Sequence, residues 1–118
     1  MKEIIRHDVT KGHARVVIHN HVAYFTDHVA RRDLGFTTVK DQTAAILRRF
    51  DELFERFGMR KENILLMTAY LRDIGKLSEF DESWIAWIGD KDVPAAIAVQ
   101  APPAEDYLVA ISVNVAVD

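Results

Sequence analysis

The chain has no cysteine and only three prolines and five glycines among 118 residues. Without a thiol there can be no disulfide, no cysteine nucleophile and no cysteine-based metal site. No apolar run reaches membrane-spanning length. The opening residues, Met1-Lys-Glu-Ile-Ile-Arg-His-Asp8, break their one apolar pair with charge on both sides. A cytoplasmic protein with no membrane partner is expected. Net charge is −3, the wrong sign for broad contact with a phosphate backbone. Arg31-Arg32 and Arg48-Arg49 are isolated basic pairs and do not amount to a nucleic-acid footprint.

A more local scarcity concerns residues 94–117. The run Pro94-Ala-Ala-Ile-Ala-Val-Gln-Ala101 offers only Gln100 as a conventional hydrogen-bonding side chain. The body of Tyr107-Leu-Val-Ala-Ile-Ser-Val-Asn-Val-Ala-Val117 offers only Ser112 and Asn114. Both runs are rich in β-branched residues and too short for separate helices, so they read as neighbouring strands joined by the turn Pro102-Pro-Ala-Glu-Asp106. Chemistry at this end of the sheet must come from backbone groups, a few neutral polar atoms and other elements.

Residues 2–6 form a short strand candidate, followed by turn residues from Asp8 to Gly12. Ala14-Arg-Val-Val-Ile-His19 and Val22-Ala-Tyr-Phe-Thr26 then suggest a hairpin about Asn20-His21, and Asp27 to Gly35 reads as a loop. From Thr38 to Phe57, the residues Thr43, Ile46, Leu47, Phe50, Leu53, Phe54 and Phe57 make one helical face. Arg48, Arg49 and Arg56 are left mostly to solvent, and Gly58 stands at the C′ position. Ile64-Leu-Leu-Met-Thr-Ala-Tyr-Leu71 is apolar at both alternating parities, a strand with one face on helices and the other against a second subunit. A second helix is expected over about 77–88, with Leu77, Phe80, Trp84, Trp87 and Ile88 inward. Length and element order predict one domain spanning 1–118, of α+β class.

Taken together, Val22-Ala-Tyr-Phe-Thr26, Asp41-Gln-Thr43, Phe50-Asp-Glu-Leu53, Glu62-Asn-Ile-Leu-Leu-Met-Thr-Ala-Tyr-Leu-Arg-Asp73, Phe80-Asp-Glu-Ser-Trp-Ile-Ala-Trp87 and the two final runs resemble the Rid family. These reactive intermediate/imine deaminases are also called YjgF or L-PSP proteins, and the resemblance covers roughly residues 12–117. It implies a chorismate-mutase-like fold, one mixed β-sheet covered by two helices, and a homotrimer with a central β-barrel and ligand clefts between subunits. It implies no cofactor and no metal. That agrees with His19 and His21 lacking a third ligand at suitable spacing.

The family's catalytic pattern is not kept. Where active members place an arginine that pairs with the carboxylate of a 2-imino acid, this chain has Ala96. The Cys or Thr two residues on is Ala98. The two glutamate positions of the last strand are Ala110 and Ser112, and the Ser-Gly-Gln of the third strand is Thr26-Asp27-His28. The Asn of the second helix is Asp81, and Trp84 shares the family's aromatic position, although its spacing with Trp87 reads as core. Bidentate recognition of a carboxylate needs a guanidinium. The resemblance with these changes therefore implies a small-metabolite-binding protein that holds a neutral or cationic ligand and does not hydrolyse 2-imino acids. The alternative is an imine or enamine hydrolase with a rearranged site using His28, Asp27 and Asp81. The expected cleft comprises His13, Arg15, Thr26, Asp81, Trp84, Ala96, Ala98 and Ala110, with His28 and Asp27 as the catalytic pair. The endoribonuclease label attached to some relatives finds no support in these residues.

Overall fold

A computed structural model describes residues 3–28, 35–104 and 107–118. The predicted loop over 29–34, with Arg31-Arg32, and Glu105 and Asp106 of the predicted turn lie outside the described residues. Strand β1 (Ile5–Thr10), β2 (His13–His19) and β3 (Val22–His28) precede helix α1 (Val39–Phe57). Strand β4 (Ile64–Leu71), helix α2 (Leu77–Ile88), β5 (Ala95–Gln100) and β6 (Val109–Ala116) follow. The strands form one sheet in the order β1-β2-β3-β6-β4-β5. Only β4 and β5 run parallel; every other neighbouring pair is antiparallel.

Local chemistry explains most boundaries. Asn20 and His21 take φ of 52° and 68°, the left-handed pair that a two-residue hairpin turn requires. Thr38 caps α1 by accepting the backbone N–H of Asp41 at 3.0 Å, and Gly58 closes it at φ 67°. Thr38→Ala leaves an orphan donor at the helix start and is expected to lower stability by about 1 kcal/mol, read by urea unfolding.

Two boundaries differ from the sequence reading. The first strand is Ile5–Thr10 and includes residues expected to turn, because pairing from Ile5↔Ile18 to Thr10↔His13 draws them into the sheet. Asp8, at φ 55°, is left out of that register. Asp27 and His28 are likewise not loop but the last residues of β3. Strand β6 pairs with them, Asp27 opposite Ile111 and His28 opposite Ala110.

Both helices cover one face of the sheet. Phe25, Met67, Ala69, Val113 and Val115 of the strands meet Ile46, Leu47, Phe50 and Phe54 of α1 and Phe80, Trp84 and Ile88 of α2. The other face is bare in a single chain. Register places Tyr24 in a row with Asn114 and Leu66, Thr26 with Ser112, Thr68 and Ile97, and His28 with Ala110, Tyr70 and Val99. Tyr24, Leu66, Tyr70 and Ile97 remain 37–55% exposed there. Strand β4 thus buries one parity against the helices and shows the other to solvent, the half-covered state expected for it. Among the described residues, no helix is long and apolar enough to cross a membrane.

Candidate functional site

Asp27 has the parity of Ala23 and Phe25, which points its carboxylate to the helix-covered side, where it is 6% exposed. A buried carboxylate requires compensation. It comes from two directions: Arg15 Nη2 of β2 donates to Oδ2 at 2.7 Å, and Arg49 Nε of α1 lies 2.9 Å from the same oxygen. The other oxygen, Oδ1, accepts the backbone N–H of His28 at 2.9 Å. Arg49, expected in solvent, is therefore the clamp joining α1 to the end of β3.

This triad forms one wall of a cleft of about 760 Å³ that also holds His13, Thr26, His28 and Asp8. Arg56 binds Asp8 through two nitrogens, each at 3.0 Å. That hydrogen bonding keeps the Asp8 carboxyl below its ordinary range, so its charge is spent on Arg56. The His28 ring stacks on Tyr107, centroids 3.8 Å apart and planes 28° from parallel. No hydrogen bond joins the His28 imidazole to the Asp27 carboxylate. Asp27 and His28 are neighbours in the cleft but are not an oriented acid–base dyad: the carboxylate is occupied by two guanidiniums and a backbone amide.

The ten expected site residues fall in four places within one chain. His13, Arg15, Thr26, Asp27 and His28 share the cleft. Asp81 and Trp84 lie on α2. Trp84 is 7% exposed and stacks on Phe80 with centroids 6.4 Å apart, a core position. The three alanines are divided between the faces of the sheet. Ala96 pairs with Met67 and Ala98 with Ala69 on the helix-covered side, whereas Ala110 lies between His28 and Tyr70 on the bare side. Strands β6 and β4 separate β5 from β3.

Besides Arg49, sequence reasoning missed Gln42, which has no exposed surface. Its Nε2 donates to the Phe36 carbonyl at 3.1 Å, and its Oε1 accepts the Leu108 N–H at 2.9 Å. It thereby ties the approach to α1 to the start of β6, beside Tyr107. The signal was available: a glutamine and an aspartate at core parities each demand named partners. Among the described residues, no group of three or more His, Asp or Glu could hold a metal ion.

An α+β chain with one mixed sheet under two helices, and a cleft at the ends of its second and third strands, defines a protein of the Rid/YjgF/L-PSP class. The chain belongs to that family: the model described as Endoribonuclease L-PSP matches residues 5–117. It is 32% identical over 98 residues to the RutC family protein YoaB of Escherichia coli, covering 83% of each chain. A RutC family protein of Haemophilus ducreyi is 29% identical over 98 residues, covering 83% of this chain and 82% of that protein. Among solved structures, a YjgF family member from Neisseria meningitidis superposes with TM-score 0.87 at 25% identity, over 98% of this chain and 96% of that one. A Rid family protein from Yersinia pestis, at 19% identity, shares the fold with TM-score 0.83 over 92% and 90% of the two chains.

Proposed function

We propose that the protein is a small-metabolite-binding member of this family, a homotrimer with its ligand clefts between subunits, and that it does not hydrolyse 2-imino acids. The observation that carries this reading is the contrast between two sets of positions. Ala96 and Ala110, where the family resemblance places an arginine and a glutamate, offer only methyl groups, while the cleft wall keeps a buried Asp27 carboxylate held by Arg15 and Arg49. A site that keeps recognition groups and lacks the water-positioning carboxylate binds without turning over.

The trimer is supported by the bare face. Tyr24, Leu66, Tyr70 and Ile97, on β3, β4 and β5, leave large apolar side chains exposed on this face, and soluble monomers rarely leave extensive apolar surface uncovered. Light scattering is expected to give three times the 13.5 kDa chain mass. The double substitution Tyr70→Asp with Ile97→Asp is expected to give monomers, because carboxylates in a closed apolar interface have no partner. Monomers from the unmodified chain would sink the assembly.

Activity is tested by mixing the protein with freshly generated 2-imino acids and with neutral imines, alongside a thermal-shift screen of metabolites. The expected result is no turnover and protection by a metabolite; hydrolysis of the 2-imino acids overturns the reading. The rearranged hydrolase is kept as a second reading by one observation: the His28 imidazole lines the cleft with no hydrogen-bond partner among the described residues. Turnover of neutral imines that disappears in His28→Ala would decide for it.

A further inference from the structure

Strand β1 is one edge of the sheet, and an edge strand presents a row of backbone donors and acceptors on which another chain can add a strand. The exposed side chains of Ile5 and Val9 favour such an addition. Asp8 interrupts the row. Pairing with β2 holds at His7↔Val16 and again at Val9↔Ala14, so the break inserts no residue and shifts no register. The Asp8 φ of 55° is left-handed, a conformation that aspartate tolerates far better than a β-branched residue does.

The kink is held from α1. In a regular strand consecutive side chains point to opposite faces, yet His7 and Asp8 both meet the last turn of that helix. The His7 ring packs on Phe57 with centroids 4.5 Å apart. Arg56 donates through both terminal nitrogens to the two carboxylate oxygens of Asp8, each at 3.0 Å, and its guanidinium lies 4.7 Å from the centroid of the Phe57 ring. Two neighbouring residues reach one helix turn because the Asp8 backbone has left the extended region. The other edge strand has no such break. Strand β5 pairs with β4 continuously from Leu66↔Ala95 to Leu71↔Gln100, and it carries Ile97 of the face assigned above to the trimer contact.

We propose that the Asp8–Arg56 latch guards the free edge of β1 against pairing with β1 of a second copy of this chain. By holding Asp8 out of the extended conformation, it leaves a gap in the row that an incoming strand would need. The inference goes beyond the metabolite-binding reading and does not depend on it. The partner guarded against is a second copy because the edge is self-complementary. Antiparallel pairing of two β1 strands about a two-fold axis at His7 sets Ile5 of each opposite Val9 of the other, and Asp8 opposite Arg6. Both pairs favour association, and the carboxylate that would join Arg6 is the one that Arg56 withholds.

The test compares the full chain with Asp8→Val, which favours the extended backbone, and with Arg56→Gln, an exposed helix position that releases Asp8 without touching the sheet. Light scattering over a range of protein concentrations is expected to give a constant mass for the unmodified protein, whatever its native assembly. In both variants the mass is expected to rise with concentration to at least double that value, with an unchanged circular dichroism spectrum. Amide hydrogen exchange in β1 is expected to slow in the associated species, because its free donors become paired. Adding Val9→Lys to either variant puts a charge on the edge and is expected to restore the original mass. The guard is overturned if both variants keep the unmodified mass at every concentration. It is equally overturned if they associate without protection of β1, or if Val9→Lys fails to reverse the association, since the contact then lies elsewhere.

Discussion

Asp27→Ala is expected to cost about 3 kcal/mol of folding stability, among the largest effects of any single polar substitution in this chain. The carboxylate is 6% exposed and its removal leaves two guanidiniums facing each other without an anion. Breaking a buried ion pair by deleting one partner typically costs about 3–5 kcal/mol. The lower end applies because the Arg15 and Arg49 side chains are 28% and 40% exposed and regain some hydration. Asp27→Asn should cost less, since its one amide oxygen can still accept from either Arg15 or the His28 N–H, which approach different oxygens of the carboxylate. Urea unfolding at fixed protein concentration measures both, the concentration being held because assembly contributes to apparent stability. A loss below about 0.5 kcal/mol, the level of a neutral surface change, would show that the triad is not the clamp described.

Gln42→Leu is the second large effect, at about 2–4 kcal/mol. The side chain is fully buried and, among the described residues, serves the Phe36 carbonyl and the Leu108 N–H. Leucine fills similar volume, so the loss measures hydrogen bonding and not a cavity. Each backbone group deprived of its partner costs about 1–3 kcal/mol. Gln42→Glu separates the two halves: its carboxylate still accepts from Leu108 but can no longer donate to Phe36. Because Leu108 follows Tyr107, whose ring stacks on His28, Gln42→Leu should also loosen the cleft rim. Faster hydrogen exchange at Leu108 is the expected sign. Unchanged stability and exchange would mean that water replaces the amide at no cost.

The α1 helix was legible because its period, its Thr38 cap and its Gly58 stop agree with one another, and agreement among local signals is what makes an element predictable. Strand β4 and the Asn20-His21 hairpin were legible for the same reason. The start of the sheet was not: Asp8 looks like a turn residue, and only pairing with β2 makes its surroundings a strand. The site divided similarly. His13, Arg15, Thr26, Asp27 and His28 are close in sequence along one hairpin and were found together. Arg49 and Gln42 come from a helix that must first dock before their partners exist.

By itself, then, the sequence determined the periodic elements, the half-covered sheet that asks for a partner, the absence of thiol chemistry and the alanines at positions 96 and 110, since each depends on residue type and local spacing alone. The tertiary structure decided the strand order, the burial of Asp27, the capture of its carboxylate by Arg15 and Arg49 and the consequent loss of an Asp27–His28 dyad. Those facts depend on which distant side chains meet at a buried point, where the cost of an uncompensated charge selects its partners, and no spacing along the chain encodes that meeting.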